Sequence, residues 1–259
     1  MRIATWNVNS IAARLPRLLD WLDSTRPDAV CLQETKIPDD TFPRAEVEEL
    51  GYEVAAHGDG RWNGVAVLSR VGLADVTRGL VAEPGFPHPE ARAVGATCSG
   101  VRLWSVYVPN GREPGHEHYA YKLAWLAALR DTVSVESPES LPYAVCGDFN
   151  VAPTDDDVWD PAVFTAATHV TPPERNALAE LRDLGLHDVV PRPLKYDRPF
   201  TYWDYRAGMF HRNLGMRIDL VYASKPLADA VADAYVDREA RKGKGPSDHA
   251  PVVVDIDLP

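Results

Sequence analysis

From its first residues the chain alternates: Arg2-Ile3-Ala4-Thr5-Trp6-Asn7-Val8-Asn9 reads as a strand that closes on amides. Short apolar or alternating runs between turn formers recur at residues 29–33, 52–57, 64–69, 93–98, 102–108, 143–146, 218–222 and 251–256. Each is predicted to be a strand. Helical spacing lies between some of them. Residues 14–24 carry Leu15, Leu18, Leu19 and Leu22 on one face. Residues 118–133 and 173–184 have similar amphipathic periods, and Gly185 is placed to stop the latter helix. Strands outnumber helices and do not alternate strictly with them, which predicts an α/β layered fold with mixed sheets. No solenoid-length repeat, low-complexity stretch or linker interrupts the pattern, so one domain over residues 1–259 is expected.

Composition narrows this picture only slightly. The 259 residues include 38 acidic and 27 basic side chains, a net charge of −11. That balance does not exclude a nucleic-acid partner. Screening acts over about 8 Å, so a local basic face outweighs the molecular sum, and a carboxylate-bound metal reverses the local field. A hydrophobic share of 45% excludes disorder. No apolar run approaches the roughly 18 residues of a membrane span. The amino terminus lacks a signal-peptide core. Cys31, Cys98 and Cys146 sit singly in strand-like runs, which suggests reduced core thiols in a cytoplasmic protein and neither disulfides nor a zinc site.

The candidate chemistry lies where strands end. Asn7 and Asn9 close the first strand, and Glu34 follows the second. Asp148 and Asn150 close a later apolar run, Asp219 interrupts another, and Asp248-His249 precedes the last. Each has an ordinary explanation taken alone: a turn-forming amide, a solvated acid, an Asx-turn, an Asp219–Arg217 pair, a strand cap. Asp155-Asp156-Asp157 reads as a solvated loop or helix start with no catalytic role. Jointly, however, acids beside buried strands are costly unless paired or bound to a cation, and such strand ends can converge on one pocket.

Trp6-Asn7-Val8-Asn9, Leu32-Gln33-Glu34-Thr35-Lys36, Gly64-Val65-Ala66, Tyr107-Val108-Pro109-Asn110, Gly147-Asp148-Phe149-Asn150, the segment Phe200-Thr201-Tyr202-Trp203-Asp204-Tyr205-Arg206, Arg217-Ile218-Asp219-Leu220 and Ser247-Asp248-His249-Ala250-Pro251 occur in this order along essentially the whole chain. In them the chain resembles the exodeoxyribonuclease III and class II AP endonuclease branch of the endonuclease/exonuclease/phosphatase superfamily. The resemblance implies a four-layer α-β-β-α sandwich with two mixed β-sheets packed face to face. It implies a metal-dependent phosphodiesterase of base excision repair: a 3′→5′ exodeoxyribonuclease on double-stranded DNA that also cuts 5′ to abasic sites and cleans blocked 3′ ends. The expected partner is duplex DNA with abasic sites, nicks or recessed or blocked 3′ ends, without a membrane or an obligatory protein partner.

Phosphodiester hydrolysis needs a placed water and neutralisation of phosphoryl charge, tasks suited to Mg²⁺ with one or two carboxylates, or to Mn²⁺ in its place. By the resemblance Glu34 is the main ligand, with Asn7, Asp148, Asn150, Asp248 and His249 around the metal. Asp148 would deprotonate the water, Asn150 would hold it or donate to a phosphate oxygen, and Asp219 would orient His249 against the phosphate; either Asp148 or His249 could be the base. Tyr107 would reach the scissile phosphate with Asn110 beside it. Tyr202 and Trp203 would line the pocket for a flipped-out or abasic sugar. Lys36, Arg61, Arg112, Arg206, Arg212 and the 241–244 run are candidates for phosphate-backbone contacts, with Arg212 as a wedge. Other readings are a phosphoinositide or sphingomyelin hydrolase, a secreted DNase and an inactive DNA-binding module. The Gln-Glu-Thr-Lys and Trp-Asp-Tyr-Arg segments, the missing signal pattern and the intact ligand set speak against these in turn.

Overall fold

In chain order the strands of this computed structural model are β1 (Arg2–Asn7), β2 (Ala29–Gln33), β3 (Glu53–His57), β4 (Val65–Ser69), β5 (Ala74–Arg78) and β6 (Ala93–Cys98). They continue with β7 (Val101–Tyr107), β8 (Tyr143–Asp148), β9 (Leu186–Asp188), β10 (Asp219–Ser224), β11 (Val231–Val236) and β12 (Val252–Ile256). The helices are α1 (Ile11–Thr25), α2 (Arg44–Glu48), α3 (Glu117–Glu136), α4 (Pro172–Asp183), α5 (Met209–Arg212) and α6 (Lys225–Ala228). The structure describes residues 1–136 and 142–258.

One six-stranded sheet has the order β11-β12-β1-β2-β4-β3, the other β5-β6-β7-β8-β10-β9. Each has one parallel pair at its centre, β1 with β2 and β7 with β8, among antiparallel neighbours. A parallel pair needs a crossover, and helices α1 and α3 provide the two. Helix α1 starts at Ser10, whose side chain caps Ala13, and lays Leu18 and Leu22 with Trp6, Val30, Leu32 and Leu68 on the outer face of the first sheet. Helices α3 and α4 cover the outer face of the second sheet through Trp125, Leu129, Leu178 and Leu181 against Trp104, Val106 and Val145. Between the sheets Ile3, Cys31, Val65 and Val67 meet Val94, Leu103, Cys146 and Val221. Removing each such aliphatic side chain from water contributes about 1.5–3 kcal/mol. These are the four layers expected, and all three cysteines are free and buried. No helix among the described residues is long and apolar enough to cross a membrane.

All the predicted strands and long helices are present, with ends shifted by one or a few residues. The structure adds the edge strands β5, β9 and β11. Every position of β5 is exposed, so it carries no inward-facing alternation to read. Two ion-pair readings change. Asp157, last of the acidic triplet, is buried and accepts from Arg217 at 2.6 Å, and Asp188 takes the rest of that guanidinium. The partner of Arg217 is therefore not Asp219, which is turned to His249.

Candidate active site

Strands β1, β2, β7 and β8 end at one rim of the sandwich, and β10 and β12, antiparallel to β8 and β1, begin there. Asn7 is the last residue of β1, Glu34 follows β2, Tyr107 ends β7, Asp148 ends β8, Asp219 starts β10 and His249 lies just ahead of β12. Register sets their neighbours. Asp148 pairs with Asp219 across the antiparallel ladder and with Tyr107 across the parallel one. Past the strand ends the chain turns through left-handed conformations at Asn9, Glu34, Lys36 and Asn150. Such backbone is costly for residues other than glycine and persists where surroundings fix it. The surroundings here are hydrogen bonds from Ser10 N to Glu34 O at 2.7 Å and from Lys36 N to Asn63 O at 2.8 Å.

Two sheets contribute to one cluster. Asn7 Nδ2 donates to Glu34 Oε1 at 2.8 Å and to Asp148 Oδ2 at 2.9 Å. His249 Nδ1 donates to Asp219 Oδ2 at 2.8 Å, which turns Nε2 toward Asp148 Oδ2, 3.8 Å away. Burial, with Glu34 and Asp219 near, raises the Asp148 carboxyl to about 7, although His249 pulls the other way. Burial opposes charge on His249, but Asp219, Asp148 and Asp248 outweigh it and hold the imidazolium up to about 10. Burial would also push Glu34 up; Lys36, at 2.7 Å, and the Asn7 amide bring it below the usual carboxylate range. The Tyr107 phenol is buried beside Glu34 and Asp148, which raises it well above its ordinary value and keeps it an O–H donor. A weak acid near 7 beside a stronger cation is the separation that general acid–base chemistry uses.

Glu34, Asp148 and His249 offer donor atoms all within 4.8 Å of one another. Two carboxylates beside an imidazole form a donor set that fits a divalent cation. The other expected ligands stand differently. Asn7 turns its amide nitrogen to both carboxylates, and its oxygen accepts from Asn9 N, so it orients ligands. Asn150 accepts from Asn110 and donates to Val108 O, and Asp248 accepts from Asn9 Nδ2. Asn7 thus sits against both carboxylates of the group, and Asp248 stands outside it.

The expected substrate contacts divide. Tyr202 packs on His249, ring centroids 4.9 Å apart. It lines a cavity of about 290 Å³ with Trp159, Phe164, His169, Met209 and Met216. Trp203 does not line it: it is 0% exposed, packed edge-on against Phe210 in the core. Adjacent residues of an extended segment face opposite ways, so only one of the two aromatics can reach the cavity. Arg61, Arg112 and Arg206 are exposed outside the regular strands and long helices, as is Asn110, and Arg212 is exposed at the end of the short helix α5, whereas Lys36 is engaged with Glu34 and Asn9. In the 241–244 run Lys242 and Lys244 are exposed, but Arg241 is buried over Tyr205 and Phe210.

Sequence reading missed several residues. Arg92 lies 4.7 Å over the Tyr107 ring and donates to its carbonyl. His169 and Lys122 both reach the Asn150 carbonyl. Trp62, beside Arg61, is 74% exposed. Only the last carried a signal, an aromatic in a Gly-rich loop.

The endonuclease/exonuclease/phosphatase family model matches residues 4–249. Exodeoxyribonuclease III of Haemophilus influenzae is 30% identical over 268 residues, with 97% of this chain and 98% of that one covered. The fold superposes with a TM-score of 0.95 on a 3′ phosphatase from Neisseria solved with a product DNA hairpin, 40% identical with 100% of both chains covered. An AP endonuclease from Archaeoglobus fulgidus is 36% identical, with a TM-score of 0.93 and 100% of both chains covered.

Proposed function

The chain belongs to the exonuclease III and AP endonuclease branch of the endonuclease/exonuclease/phosphatase family, and from that membership we propose that it processes 3′ ends of duplex DNA with a divalent cation, and incises abasic sites as a second activity. It is a phosphodiester hydrolase, a DNA-repair nuclease, and DNA is its substrate. The observation that carries the finer reading is the Asp148–His249–Asp219 line meeting Glu34 at a rim that opens beside Tyr202. The likeness to the Neisseria 3′ phosphatase supports 3′-end release. The likeness to the Archaeoglobus AP endonuclease, with a small apolar cavity next to the cluster, supports the second activity.

Glu34 and the Asp148 carboxylate would hold the cation, Mg²⁺ or Mn²⁺, while His249, kept as an imidazolium by Asp219, retains its Nε2 proton beside them. When bound, the cation neutralises phosphoryl oxygens as a Lewis acid. Asp148, which faces the cluster beside His249, takes the proton of the attacking water. The His249 imidazolium, fixed by Asp219, hydrogen-bonds from Nε2 to the phosphoryl group, and as the new P–O bond forms the bond to the 3′ oxygen breaks, that oxygen taking a proton from solvent water. Tyr107 donates its phenolic proton to the same group, and Asn150, steadied by Asn110, offers its remaining amide proton. Tyr202 and the cavity wall accept a terminal or baseless sugar, and a missing base lowers the cost of extrusion by a few kcal/mol.

The test is one duplex set carrying a recessed 3′ end, a 3′ phosphate and an internal abasic analogue. With Mg²⁺ the expected products are nucleoside 5′-monophosphates from the recessed 3′ end, inorganic phosphate and a cut 5′ to the abasic site; with EDTA or Glu34→Ala none should form. Equal nicking of intact duplex, or preference for a lipid or inositol phosphate, overturns the reading.

A further inference from the structure

Lys122 sits in the second turn of α3 with no exposed surface, ion-paired to an equally buried Glu174 near the start of α4. Its ammonium also donates to the carbonyls of Asn150 at 2.7 Å and Asn110 at 3.2 Å and to Thr168 Oγ1 at 3.3 Å. Glu174 is committed on both oxygens. One caps α4 through Thr171; the other takes Lys122, Thr168 Oγ1 at 2.7 Å and His169 N at 3.0 Å. The His169 ring adds a second donor to the Asn150 carbonyl. A buried ion pair is weak support for stability, because desolvation offsets much of its attraction. What this pair does hold is geometry. Asn150 is left-handed at φ +50°, and its carbonyl is fixed from behind while its side chain meets Asn110 in front. Its N–H donates to Asp148 Oδ1 at 2.9 Å.

We propose that Lys122, locked by Glu174, is a positioning residue for hydrolysis: it clamps the main chain of Asn150 and Asn110 and thereby aims both amides at the substrate side of Asp148. This deepens the proposed function and rests on its placing Asn150 at the reacting phosphate. A misplacement near 1 Å at such a group costs about 10- to 100-fold in turnover.

The test replaces both charges at once, Lys122→Met with Glu174→Gln, so that no lone buried charge remains. The variant should fold, bind Mn²⁺ and DNA within about twofold of wild type, and release 3′ phosphate with kcat down about 10- to 100-fold. In an Asn150→Ala background the same pair should cost nothing more, because residues acting as a unit are non-additive. Where that double substitution does not fold, Lys122→Leu with Glu174→Gln, which also leaves no lone buried charge, should show the same dependence on Asn150. Equal losses in both backgrounds, or wild-type kcat in a folded variant, overturn the proposal. Wild type run alongside separates the two claims: absence of turnover there sinks the proposed function. The positioning claim is then read from the Asn150 side-chain amide resonances, which should shift in the variant and whose constancy would overturn it.

Discussion

Burial beside Glu34 and Asp219 raises Asp148 to about 7 from an ordinary 3.8. A folded pKa above the unfolded one means the stabilising contribution is present below pH 3.8 and is lost as pH rises through 7. In EDTA at pH 8, Asp148→Asn should therefore raise the melting temperature, by about 2–4 °C per kcal/mol relieved, while abolishing turnover. At pH 5 the difference should shrink, and calorimetry at both values decides. His249 gives the opposite limb. As the protonated donor it should lose activity as pH rises near 10. Asp219→Asn removes the closest charge sustaining that proton and should pull the alkaline limb down by about one unit or more. An unmoved limb would detach His249 from that role. At this scale the sequence named the acids and the histidine because charged residues closing apolar runs stand out. It could not show which atom of Asn7 faces inward, nor that Trp203 turns into the core, since both are settled by side-chain orientation. Lys122 was invisible for a different reason: a lysine in an amphipathic helix reads as its wet face.

Among the elements, β8 carries the tightest constraint. A Cβ on Gly147 would lie 1.9 Å from the Val106 carbonyl oxygen of its parallel neighbour β7. Gly147→Ala must push the two strands apart at the step where Tyr107 meets Asp148. Overpacking of this kind costs about 1–3 kcal/mol or more. The expected result is a lower denaturation midpoint and a turnover loss exceeding what that instability explains, checked by urea unfolding beside kinetics at 20 °C. The central strands were readable because both faces are buried and the runs are continuously apolar. Edge strands were not. β5 is exposed throughout and β9 spans only Leu186–Asp188, so neither leaves a pattern that turns would not also leave.

For the molecule as a whole, a net charge of −11 and a DNA substrate look opposed. Exposed Arg61, Arg112, Lys242 and Lys244 stand on loops, Arg206 beside its partner Asp204 and Arg212 at the end of α5, while several acids are paired with Arg2, Arg130 and Arg192. Duplex binding should thus still weaken with salt, the slope of log K against log salt being about −0.9 per phosphate contacted. A slope near zero, measured by anisotropy between low and high salt, would contradict a backbone-contact mode. The layered architecture was legible from counting strands against helices. Which strands pair was not, because order within a sheet is decided by distant contacts such as β1 with β12.

That the reacting groups are divided between the sheets has a further consequence. Asn7, Glu34 and His249 ride on one slab, and Tyr107, Asp148 and Asp219 on the other, with a mainly apolar seam between them, bridged where Gln33 Nε2 donates to Ser105 Oγ at 3.0 Å and Ser105 Oγ to Leu32 O at 2.8 Å. Apolar contacts resist separation but are indifferent to small slips, whereas the bridges Asn7–Asp148 and His249–Asp219 tolerate almost none. The centre therefore behaves as a vernier between two rulers. A solvent or temperature that loosens the seam by a fraction of a bond length should silence the enzyme while every strand and helix is still in place.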